Sequence, residues 1–341
     1  MFITRNLSFK QFRSWHTWNF LGLLAFNGIV AVAYAHKYLA VGIPWLPVSV
    51  IGTAVAFYLT FKNNQAYDRM WEARKLWGGI VNSSRTWGMM VMSYVRAVDE
   101  ADGERVAAIR RTLIHRQIAW LYQHRKQLLE PMTWEQVGAT DRVGALARSY
   151  DRLTGLGAFP TGVHVPEPAT LLDPQEAQRM QGCANPAAQL INAQALQLAE
   201  LREAGNLIDL RHVEMGNVLK SFYDLQGGNE RIKKFPFPRD YSSMSQAIIY
   251  LFVVLVPFSL IPEMLTVGHW AFWLSIPIST LIGLVFIIME LVGDYNENPY
   301  MGTPNGMPML SMCRSIEIDL RQMLGEQELP KPIAPVNGVL M

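Results

Sequence analysis

The chain has 341 residues, half of them apolar, a formal net charge of +2 and two cysteines. So small a charge singles out no polyanionic partner and gives no reason to expect nucleic acid. Cys183 and Cys313 are too far apart for a metal or redox spacing and read as two reduced thiols, not a disulfide framework.

A soluble chain of this length would be read as about two domains, but the apolar residues pool near both ends. In chain order, four runs have the length and lack of charge of membrane spans: Trp18 to His36, Pro44 to Phe61, Met244 to Val267 and Trp270 to Glu290. Each is close to the roughly 20 residues that a bilayer requires. Arg5, Lys10 and Arg13 precede the first span, and only Lys37 lies between the first and the second. Lys62, Arg69, Arg74 and Lys75 follow the second, and Arg231, Lys233, Lys234 and Arg239 precede the third. The loop between the last two holds Glu263 and His269 but no Lys or Arg. This asymmetry predicts both termini and the whole middle region in the cytoplasm, with Trp15, Trp18, Trp45, Trp270 and Trp273 at the interfaces. No small-residue cleavage site follows the first span, so it is not read as a signal peptide. Asn19 and Asn27 are expected to bond a neighbouring helix, and Pro257, Pro262 and Pro277 to kink or interrupt the last two spans.

The second span leads without Pro or a Gly pair into FKNNQAYDRMWEARKLWGGIVNSSRTW, Phe61 to Trp87. Tyr67, Met70, Trp71, Trp77, Ile80, Val81, Ser84, Trp87, Gly88, Val91, Tyr94, Val95 and Val98 recur at steps of three and four, so one long helix is predicted from lipid deep into the cytoplasm. Glu72 is placed to pair with Arg69 or Lys75. A second, basic helix follows over GERVAAIRRTLIHRQIAWLYQHRKQLLEP and stops at Pro131. Gly138 to Pro174 reads as loop or short helices. A long helical region is predicted from Pro174 to Leu225, closed by Gly227 and Gly228. KKFPFPRDY breaks the helix before the third span, and the tail after Glu326, with three prolines, is expected to be disordered. The layout is residues 1–61 with the first two spans, 62–240 a cytosolic helical domain, 241–295 the last two spans, and 296–341 a cytosolic C-terminal segment. The fold class is all-α.

No Walker A loop, GxGxxG, GxSxG or HExxH is present, so the sequence points away from an enzyme, and no cofactor or metal is expected. His115, His124, His212 and Glu214 have no ligand spacing. Glu290 and Asp294 end the fourth span, where they are read either as lining an ion path or as ordinary acids at a helix end.

The stretch from Phe61 to Trp87 resembles the signature of the bestrophin family in its prokaryotic branch. RRTLI at Arg110 to Ile114, GGNERIKKFPFP before the third span and ENPYMGTPNGMPMLSMCRSIEIDL after the fourth are similar to family motifs in the same order. The resemblance implies a cyclic homopentamer in the bacterial inner membrane. It conducts small anions, chloride first among them, through one central pore lined by the second span. It also implies an apolar neck at Leu46, Val50, Ala54 and Phe57, with Thr53 brought in by a small change of register, and a cytosolic aperture at Leu210 with Ile208 close by. Eukaryotic relatives bind calcium through acids after the Asn-Pro turn. The corresponding stretch here, Gly302 to Pro308, has no carboxylate, so calcium activation there is not expected. The alternatives are the same pore carrying monovalent cations such as sodium, or a membrane scaffold or transporter.

Overall fold

The computed structural model describes residues 1, 3, 9–38, 41–99, 102–133, 135, 164–336 and 338–341. Its helices are α1 (Phe9–Ala35), α2 (Trp45–Tyr94), α3 (Gly103–Leu129), α4 (Pro174–Gln181), α5 (Pro186–Glu203), α6 (Asp209–Lys234), α7 (Arg239–Val267), α8 (Ser275–Asn296) and α9 (Met309–Met323), with short 3₁₀ turns at Pro168–Leu171 and Phe272–Leu274. The described residues form no strand, only a bridge between Val336 and Val339. Segments Thr17–Ala35, Ser243–Val267 and Phe272–Asn296, together with α2, are long and apolar enough to cross a membrane.

Two cores share α2. In the apolar layer Leu23 of α1, Val48, Val55 and Leu59 of α2, Phe252 and Val256 of α7 and Ile287 of α8 pack together. Beyond it, Trp77, Ile80, Trp87 and Val91 of the same helix pack with α3, α5, α6 and α9 in a larger core. Tyr67 and Trp71, read from sequence as part of that stripe, are exposed instead. Nothing interrupts α2: Pro47 falls in its first turn, where a missing N–H costs nothing, and the helix ends where Val95 turns extended. Its 50 residues make it about 75 Å long.

Helix α7 runs through Pro257 and Pro262 without ending. Pro262 frees the Phe258 carbonyl, which accepts from the Ile43 N–H at 3.2 Å, so this carbonyl is not stranded in the apolar layer. Pro277 does not interrupt the fourth span: it lies in the first turn of α8.

The long helical region expected from Pro174 to Leu225 is divided into three helices, the last running on to Lys234. Asp173 caps α4 by accepting from Gln175 N, and Asn185 caps α5 by accepting from Ala188 N, each followed by proline at the first position. Gly205, at φ 81°, closes the turn after α5. Gly227 and Gly228 end nothing; they lie inside α6. Gly228 serves packing: a Cβ on it would sit 2.8 Å from Leu76 Cδ2, and one on Gly79 2.6 Å from Leu225 Cδ2, whereas a Cβ on Gly227 would meet nothing within 4 Å. The two helices approach closely because each is bare where the other is bulky.

Most of the segment Gly138 to Pro174 lies outside the described residues. The tail after Glu326 differs from the expected disorder. Ile3 N bonds Gly338 O at 2.9 Å, Leu340 N bonds Met1 O at 2.8 Å, and Ser311 N bonds Met341 O at 2.7 Å. Val339 and Met341 are buried, and Arg314 Nη1 donates to Lys331 O at 3.0 Å. Backbone pairing and two buried apolar side chains hold a segment that its composition marks as loose.

Candidate pore-lining face

The first half of α2 has two faces. Val48, Gly52, Val55 and Leu59 are buried against neighbouring helices, while Leu46, Val50, Phe57 and Phe61 are 75%, 63%, 65% and 62% exposed. Thr53 and Ala54 are exposed between them. The hydroxyls of Thr53 and Thr60 donate back to the carbonyls of Ser49 and Ala56, at 2.9 and 2.8 Å. Both are tied to their own helix, which leaves the uncovered face apolar in character.

All four neck residues expected from sequence, Leu46, Val50, Ala54 and Phe57, lie on this face. Their registers differ. At about 100° per residue, Leu46 and Val50 fall within about 20° of Phe57, whereas Ala54 is about 60° to one side. Ala54 also lines an apolar groove of about 260 Å³ with Ile51, Val55, Tyr58, Ser245 and Ile248. Phe61, read from sequence only as the end of the span, extends the same face by a turn; the signal was its i+4 spacing from Phe57.

Leu210 and Ile208 are also exposed, but they are at the other end of the molecule. Helix α6 runs antiparallel to α2. Arg69 Nη2 donates to the carbonyls of Ile232 and Phe235, at 2.8 and 2.9 Å, Ser221 Oγ meets Ser83 Oγ at 3.2 Å, and the Arg211 guanidinium lies 5.1 Å from the centre of the Tyr94 ring. The start of α6 therefore sits by the end of α2, and the two candidate constrictions are separated by most of its length, about 55 Å from the near end of the neck at Phe57.

Between them, at the edge of the apolar layer, Lys62 turns inward. Its Nζ is 2.6 Å from Glu290 Oε1 and 2.6 Å from Asp294 Oδ1, and Ser245 Oγ donates to Glu290 Oε2 at 2.9 Å. Gly293 makes room, since a Cβ there would be 3.3 Å from Lys62 Cε. Of the two readings of Glu290 and Asp294, the structure contradicts a bare acidic lining: both pair with a buried lysine on the covered side of α2. Sequence showed each charge but not their meeting, because 228 residues separate Lys62 from Glu290.

Asn27 Nδ2 donates to Thr280 Oγ1 at 3.0 Å, a bond between α1 and α8 of the kind expected. Glu72 pairs with Arg231 on α6 and not with its own helix. The histidines do not converge. His115 Nε2 is 2.8 Å from Glu326 Oε1. His124 is stacked between Trp77 and Trp120, with ring centroids at 6.0 and 5.5 Å. Among the described residues no group of His, Cys, Asp and Glu could hold a metal ion. Cys183 and Cys313 are free, and burial pushes the Cys313 thiol up to about 12, which makes it inert.

The profile described as Bacterial/Fungal Bestrophin protein matches residues 17–322. The chain is 27% identical over 316 residues to the voltage-dependent anion channel-forming protein YneE of Escherichia coli, covering 92% of this chain and 88% of that one. It is also 27% identical over 280 residues to a voltage-dependent anion channel-forming protein of Mesorhizobium japonicum, covering 82% and 75%. Among solved structures, a bacterial bestrophin homologue from Klebsiella pneumoniae superposes with a TM-score of 0.72 at 23% identity, over 92% of this chain and 99% of that one. The four apolar helices, the all-α fold and a profile match over nearly the whole length make this membrane protein a member of the bacterial bestrophin family.

Proposed function

We propose that the chain is one subunit of a homopentameric channel in the bacterial inner membrane, with both termini and the polar helical body in the cytoplasm. It passes small anions, chloride among them, down their gradient. The observation that carries this reading is the uncovered face of α2. Leu46, Val50, Thr53, Ala54, Phe57 and Phe61 leave a continuous apolar strip on a helix that runs on into water without a break. Five copies around an axis would turn the strip into a narrow apolar neck. Such a neck gates by dewetting and conducts when it widens and fills. Leu210 and Ile208 would form a second aperture at the far end. The relatives named as anion channel-forming support anions as the cargo.

A second reading, monovalent cations through the same pore, is favoured by Asp68, which lies exposed on the same face. Purified protein in planar bilayers under a potassium chloride gradient tests both, with native mass spectrometry to count copies. Reversal near the chloride potential is expected. Reversal near the potassium potential replaces anions by cations, and no current from a verified pentamer removes the channel reading. Ala54→Phe is expected to lower unit conductance; an unchanged value places Ala54 outside the neck.

A further inference from the structure

Helix α2 carries seven charged side chains: Lys62, Asp68, Arg69, Glu72, Arg74, Lys75 and Arg85. Five are engaged. Lys62 holds Glu290 and Asp294, Arg69 donates to the carbonyls of Ile232 and Phe235, and Glu72 pairs with Arg231. Arg74 Nη1 reaches Met312 Sδ at 3.5 Å, and Arg85 pairs with Asp319 at 2.8 Å. Asp68 and Lys75 are exposed, and neither makes a hydrogen bond or ion pair with another described residue. These two are also the charges that share the register of the apolar strip. Counting about 100° per residue, Asp68 falls about 20° from Phe57 and Lys75 in line with it, whereas Arg74 and Arg85 are turned about 100° and 80° away, toward α9.

We propose that Asp68 and Lys75 form two opposed charged rings around the pore axis, and that their balance decides whether anions or cations pass. The proposal rests on the pore reading above. An apolar neck has no charge with which to choose an ion, so the choice falls to the first free charges beyond it. Asp68 lies seven residues past Phe61, and Lys75 seven past Asp68, so each step is about 10 Å along the axis. That exceeds the Debye length of about 8 Å at physiological ionic strength, so each ring acts mainly on an ion at its own depth. Repetition by symmetry places every copy's charge at the same depth, where the low-dielectric walls focus the field. Lys75 draws anions and Asp68 draws cations.

The test is the reversal potential of reconstituted channels under a potassium chloride gradient. Lys75→Gln is expected to shift it toward the potassium potential and Asp68→Asn toward the chloride potential. Both shifts should shrink as the salt approaches about 1 M, where screening shortens the range of each ring. In a Cys183→Ser background, Lys75→Cys treated with a cationic aminoethyl thiosulfonate is expected to recover the parent value, and an anionic sulfonatoethyl reagent to move it further toward potassium. A purely structural role would not follow the sign of the reagent. If both neutralised variants and both reagents leave reversal unchanged while Phe57→Ala alters unit conductance, the pore stands and these residues do not select. If Phe57→Ala and Phe61→Ala also leave conductance unchanged, the pore reading has failed and the proposal goes with it.

Discussion

Lys62 and His124 show two ways of burying an ionisable group. Lys62 stays with two carboxylates, and removing one member of such a cluster leaves an uncompensated charge, at about 3 kcal/mol or more. Lys62→Met is expected to lower the melting temperature and the yield of assembled protein. Adding Glu290→Gln and Asp294→Asn should recover most of the loss. A single variant as stable as the parent would show that the cluster contributes nothing. His124 is instead buried as a neutral ring: desolvation holds its pKa at about 4, well below the usual 6.5, against a weaker upward pull from Glu230. The unfolded chain takes up a proton near pH 6.5 while the folded one resists until about 4, so this contribution to stability is complete above the higher value. It is lost as pH falls through the window, by up to about 3 kcal/mol. Melting curves at pH 7 and 4.5 should therefore converge for His124→Phe relative to the parent; equal pH dependence would rule His124 out as the source.

At the scale of elements, α2 is the spine, and small residues set how closely others approach it. A Cβ on Gly52 would lie 2.7 and 2.9 Å from Cε2 and Cζ of Phe252. That ring is itself packed against Phe286, with centroids 4.7 Å apart, and has little freedom to retreat. Gly52→Ala is expected to destabilise the α2–α7 contact by about 1–3 kcal/mol, although alanine is the better helix former by about 1 kcal/mol. Phe252→Leu in the same chain should relieve it. Thermal melting in detergent decides, and a more stable Gly52→Ala protein would mean the ring moves aside. The same closeness explains the misread of Gly228. A glycine pair at the end of a helical pattern looks like a cap, and only the presence of Leu76 from another helix reveals Gly228 as a point of close contact.

For the whole molecule, the antiparallel pairing of α2 with α6 puts Leu210 and Ile208 about 50 Å from the near end of the apolar strip at Phe61. If they frame a second aperture, Leu210→Ala should change permeability ratios more than open probability in single-channel records. No effect on either would take this end of α6 out of the permeation path. One helix linking both ends also means that a displacement at either is carried along a rigid element, since no proline or 3₁₀ turn interrupts α2 between Trp45 and Tyr94.

The amino-acid sequence by itself determined the apolar runs, their flanking charge, the unbroken pattern of α2 and the motifs of the family. All of these are local properties, written in composition and in steps of three and four. The exposed strip was legible in part, because Leu46, Val50 and Phe57 share a helical phase that spacing alone reveals, while Phe61 was hidden by its place at the end of an apolar run. Tertiary structure alone decided which charges are free. Lys62, Glu72 and Arg85 look no different in sequence from Lys75 and Asp68, and what separates them is the arrival of α6, α8 and α9 from more than 150 residues away. It also decided that the C-terminal tail is held, since its partners are the backbone of the other terminus and the start of α9. Long-range pairing of this kind leaves no period in the chain, and so no local pattern announces it.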